Sequence, residues 1–83
     1  MSKHILSSKG AQRLLDNGEI TIGSQLMCFD GTFCVTGISA NFVRLKEVIF
    51  DFEGQDDYLG EEEFFWTYTD FIGCDLLSGR REI

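Results

Sequence analysis

Asp30-Gly31 stands between two apolar, strand-like runs, Gln25 to Phe29 and Thr32 to Ile38. An Asp-Gly pair in that setting favours a two-residue hairpin turn, because Gly tolerates the positive φ that a type I′ turn requires. The middle of the chain is therefore committed to antiparallel pairing. The expected register sets Phe29 against Thr32, Cys28 against Phe33 and Met27 against Cys34. Ser39-Ala40-Asn41 supplies the next turn, into a third strand from Phe42 to Phe52. Val43 and Leu45 share one face of it, while Val48, Phe50 and Phe52 have the other parity. A switch of phase near Glu47 predicts a β-bulge or sharp bend.

Glu53 to Gly60 reads as a polar loop. Glu61 to Ile72 fits two periods: as a helix, Phe64, Phe65, Tyr68, Phe71 and Ile72 form a stripe; as a strand, Phe64, Trp66 and Tyr68 share a face. Its aromatic and Thr content favours the strand. Before the hairpin, Ala11, Leu14 and Leu15 have the i, i+3, i+4 spacing of one helical face. Ser7 or Ser8 can cap that helix, and Asn17-Gly18 can stop it. Gly10 weakens it by about 1 kcal/mol relative to Ala. The expected fold is mainly β with some α: a small curled antiparallel sheet, or an SH3-like barrel, of four to five strands with a short N-terminal helix. A chain of 83 residues is expected to form a single small domain over 1–83. Its eight Phe residues help to build a core at that size.

Charge divides the chain unevenly. Residues 1–46 hold five basic and three acidic residues, whereas 47–79 hold ten acidic residues and no Lys or Arg. Such a segment repels nucleic acid and anionic membrane, which excludes both as direct partners of this half. No apolar run approaches the roughly 18 residues of a membrane span. Met1 to Ser8 lacks the apolar segment of a signal peptide. Three cysteines, Cys28, Cys34 and Cys74, are an odd number without tight spacing and read as buried free thiols. Together these features point to the cytoplasm, the host cytoplasm if the chain is of phage origin.

Catalytic chemistry finds little support. His4 is the single histidine and is expected at a frayed terminus. Cys28, Cys34, Cys74 and His4 lack the close ligand pairs of a structural zinc site, and the hairpin puts Cys28 and Cys34 on opposite parities. Paired carboxylates for acid–base work need a cleft roughly 5–10 Å across, which a domain this small rarely offers. The nine glycines form no phosphate-binding series. No enzyme activity and no cofactor are expected.

The acidic segment is the remaining candidate. Its partner-binding residues are expected to be Asp51, Glu53, Asp56, Asp57, Tyr58, Glu61, Glu62, Glu63, Trp66 and Asp70. Alternate residues of a strand lie about 6.6 Å apart, near twice the roughly 3.4 Å rise per phosphate of a DNA strand. Tyr58 and Trp66 look exposed and would be the aromatic anchors, with charge supplying steering and register. A run of one charge can also be a solvated face that keeps a protein soluble or blunts an edge strand. However, ordinary surfaces mix both signs. The expected function is a non-enzymatic acidic protein that binds a basic surface of a partner, in its sharpest form a nucleic-acid mimic. Small acidic phage proteins act in this way against restriction and CRISPR enzymes; the parallel is one of size and charge, with no shared motif. The alternative is a small structural or adaptor subunit that joins a larger assembly through aromatic residues. A homodimer is as open as a monomer.

Overall fold

The computed structural model describes residues 3–50 and 56–83. It is mainly β: six antiparallel strands form one sheet, in the order β1-β6-β2-β3-β4-β5, and one short α-helix accompanies them. The strands are β1 (Lys3–His4), β2 (Ser24–Cys28), β3 (Gly31–Ile38), β4 (Val43–Phe50), β5 (Asp57–Trp66) and β6 (Asp75–Arg80). Among the described residues β1 and β5 do not pair, so the sheet is open rather than a closed SH3-like barrel, with six strands instead of four or five.

The helix α1 (Ser8–Asp16) begins at Ser7, whose hydroxyl accepts a hydrogen bond from the Gly10 amide at 3.0 Å. Asn17 is its C-cap, and Gly18 follows with φ 82°. Ala11 is buried, with Leu14 and Leu15 packed around it. Opposite them stand Leu26, Phe33, Val35, Val43, Leu45, Phe71 and Leu76. A relay of rings ties the cluster together. Phe33 meets Phe64 edge-on at 5.4 Å and Trp66 at 5.1 Å, and Trp66 meets Phe71 edge-on at 5.0 Å. Such pairs add about 0.5–1.5 kcal/mol each beyond the area they bury.

The hairpin forms with a shifted register. Met27 faces Thr32 and Cys28 faces Gly31, so the loop is Phe29-Asp30 rather than Asp30-Gly31. The two registers differ by two residues in pairing sum, and both put Leu26, Cys28, Phe33 and Val35 on one face. Hydrophobic alternation cannot distinguish them. The realised register leaves Phe29 in the loop, in solvent at 107% exposure.

A bulge expected near Glu47 is present, but its extra residues are on β5, and β4 keeps its alternation, with Val48 outside the core cluster that holds Val43 and Leu45. Lys46 faces Glu63 and Val48 faces Leu59, so Glu47 alone spans Gly60, Glu61 and Glu62. A second bulge leaves Thr36 unmatched on β3, between the pairs Val35–Leu45 and Gly37–Arg44. The supposed loop before Gly60 is shorter than expected, because β5 already begins at Asp57. The segment after it combines both periods: strand to Trp66, then a 3₁₀ turn over Tyr68–Phe71.

His4 is docked, not frayed. Lys3 and His4 pair with Leu76 and Asp75, and His4 Nδ1 lies 2.7 Å from Asp75 Oδ1. At Gly23, φ is 93°, and a side chain would collide with the Arg81 carbonyl. Glycine there lets the C-terminal strand close on β2, with the Arg81 amide donating to the Gly23 carbonyl at 2.7 Å. No helix among the described residues is long and apolar enough to cross a membrane.

Candidate protein-interaction surface

Among the described residues β5 is an edge strand, paired with β4 alone. Its ten residues exceed the usual five or six or so of a strand, so it presents a long row of backbone groups without a neighbouring strand. The core side of the strand carries Phe64 and Trp66, both half-buried against the central cluster. Asp57, Tyr58, Glu61, Glu62, Glu63 and Phe65 are all exposed, as is Asp56 just before the strand. Tyr58 and Phe65, at 55% and 58% exposure, stand near the two ends, with the three glutamates between them. Phe65 is steadied by Phe42, met edge-on at 5.3 Å.

Folding changes the charge pattern read along the chain. Pairing sets Glu63 opposite Lys46, and the Arg81 guanidinium comes within 3.9 Å of Asp57. The Arg81 charge also acts on Cys34. Arg81 Nε and Nη2 are buried without a hydrogen-bond partner among the described residues, so the charge acts through space. Glu61 and Glu62, in the bulge, have no ion pair among the described residues. Of the acidic residues on β5, Asp57 has an ion pair and Glu63 a basic cross-strand neighbour, whereas Glu61 and Glu62 in the bulge have neither among the described residues.

Two expected binding residues have other surroundings. Trp66 is an inner member of the ring relay, and the exposed ring beside it is Phe65. Asp70 closes the 3₁₀ turn: its carboxylate accepts from the Thr67 amide at 2.8 Å and the Thr67 hydroxyl at 3.2 Å. Asp51 and Glu53 lie outside the described residues.

The cysteines depart from three free thiols. Cys28 and Cys74 form a disulfide across β2 and the residue preceding β6. The β2–β6 register, Leu26 to Leu76 and Met27 to Asp75, continues directly to this pair. The Cα–Cα separation of 4.4 Å is that of residues facing each other without mutual backbone hydrogen bonds. A separation of 46 residues hid this pairing, since only the strand order reveals it. The cytoplasmic expectation drew partly on unpaired thiols, and that support is gone. Cys34 is free and buried. It lies on the opposite face from Cys28, and burial pushes its thiol pKa up, against the smaller pull of the Arg81 charge. Among the described residues no group of three or more His, Cys, Asp or Glu side chains is placed to hold a metal ion.

No family model, curated protein or solved structure matches this chain.

Proposed function

We propose that this chain is a non-enzymatic binding protein that engages a basic surface of a partner through β5 and its bulge. In its sharpest form it is a nucleic-acid mimic, of the kind phages direct against restriction or CRISPR enzymes, occupying the groove where DNA or RNA would lie. One observation carries the proposal: a ten-residue edge strand holds exposed Asp57, Glu61, Glu62 and Glu63, of which only Asp57 has an ion pair among the described residues. Carboxylates on a strand are held at spacings that a flexible acidic tail cannot keep, so less ordering entropy is lost when they meet cations. Their attraction also accelerates encounter with a basic partner.

An unpaired edge could instead recruit a second copy. Antiparallel pairing of two β5 strands through the bulge would bring like charges together, which is unfavourable. A basic partner removes that conflict.

The adaptor reading keeps a specific support of its own, the exposed rings of Tyr58 and Phe65 on the same edge. The two are separated by elution. Immobilised chain incubated with lysate should release a mimic's target on addition of duplex DNA or RNA, and also when salt is raised from 0.05 M to about 0.5 M, where screening is nearly complete beyond a few ångströms. A partner that resists both treatments would support the adaptor.

A further inference from the structure

We infer that the cavity at the end of the sheet, where α1, the β3–β4 turn and the end of β5 meet, receives an arginine side chain. The cavity measures about 200 Å³. Phe42, Trp66 and Tyr68 supply aromatic wall, and Leu15 and Val43 add apolar surface. Asp16 is the single charged residue lining it among the described residues.

Charge and shape select the occupant. Asp16 is the last residue of α1, so its carboxylate stands at the negative end of the helix dipole, where an anion is unfavourable and a cation is stabilised. No ion pair among the described residues neutralises it. Aromatic faces are negative and attract cations. Among cations, a guanidinium is flat and weakly hydrated, so it stacks on rings at a lower desolvation cost than an ammonium and can still hydrogen-bond a carboxylate. None of the chain's own Lys or Arg residues lines the cavity.

Position links the cavity to the acidic strand. Trp66 is both the last residue of β5 and part of the cavity wall. A basic segment lying along the bulge would reach the cavity at the strand's end, where one of its arginines could be buried. The source of the arginine rests on the proposed function; the chemistry of the cavity does not.

The test uses the tripeptide acetyl-Gly-Arg-Gly-amide, with norleucine in place of Arg as the neutral control. Titration followed by two-dimensional NMR and by Trp66 fluorescence should show millimolar binding of the arginine peptide, with shifts gathered at Asp16, Phe42, Trp66 and Tyr68. Asp16→Asn and Tyr68→Ala should each weaken binding at least fivefold, and Tyr68→Phe should retain it. Both positions are exposed, and an unchanged melting temperature verifies folding. Equal binding of the norleucine peptide, indifference to Asp16→Asn, or shifts confined to β5 would overturn the inference. The variant with Glu61→Lys, Glu62→Lys and Glu63→Lys should bind the tripeptide like the parent chain. If it binds the tripeptide and also keeps the partner, only the proposed function fails. If it loses the partner and neither it nor the parent binds the tripeptide, only the cavity inference fails.

Discussion

Cys34 illustrates what a single side chain reports about this fold. Its raised pKa comes first from burial, so the folded state holds the neutral thiol. Above about 8.5, the ordinary thiol value, the unfolded chain releases its proton before the folded chain does. Folded stability is therefore unaffected by this group below that range and decreases as pH rises through it. Iodoacetamide at pH 8 should leave Cys34 unmodified in the native protein and alkylate it once denaturant is added, as read by intact-mass spectrometry. Asp70 gives a second residue-level contrast. It is expected on the binding surface, where it is exposed, and it also completes the capping box of a 3₁₀ turn. Asp70→Ala should cost about 1 kcal/mol in a urea titration, the usual loss for a removed cap. Trp66 was misread for a related reason. Alternation shows that Trp66 and Phe65 face opposite ways, but not which face is covered. That was settled by Phe33 and Phe71, which are distant in sequence and close in space.

Among the elements, those with local causes were legible. Ser7 caps α1 and Asn17-Gly18 ends it, because each depends on neighbours within a few residues. Non-local pairing was not legible. The hairpin register could slip by two positions without moving any side chain to the other face, and the β2–β6 adjacency that joins Cys28 to Cys74 has no local sign. That disulfide fastens the hairpin end to the turn before β6. Closing a loop of its length reduces the unfolded chain's entropy by an amount worth about 4 kcal/mol in the chain-entropy model. Reduction, or the double change Cys28→Ser and Cys74→Ser, should lower stability by about 2–4 kcal/mol. In a thermal melt that corresponds to a fall of roughly 10–25 °C for a domain of this size. Cys34→Ser would not reproduce the loss through this mechanism, since Cys34 takes no part in the cross-link.

For the whole molecule, the net charge of −7 matters less than where folding places it. Lys46 and Arg81 stand beside an acidic segment that contains no basic residue of its own, and the centre of β5, the bulge with Glu61 and Glu62, is paired with neither. Like charge at that centre predicts a monomer at low ionic strength by sedimentation, with any pairing through β5 emerging only when salt screens the glutamates. The adaptor reading turns instead on exposed rings. Its clean probes are Tyr58 and Phe65, since replacing Trp66 would also damage the core. The most direct measurement compares partner capture at low salt by three immobilised chains of verified fold: the parent, the variant carrying Glu61→Lys, Glu62→Lys and Glu63→Lys, and the variant carrying Tyr58→Ala and Phe65→Ala. Binding by the acidic bulge predicts that charge reversal lowers retention at least tenfold while loss of the rings lowers it less. Retention untouched by charge reversal and abolished by loss of the rings would contradict it.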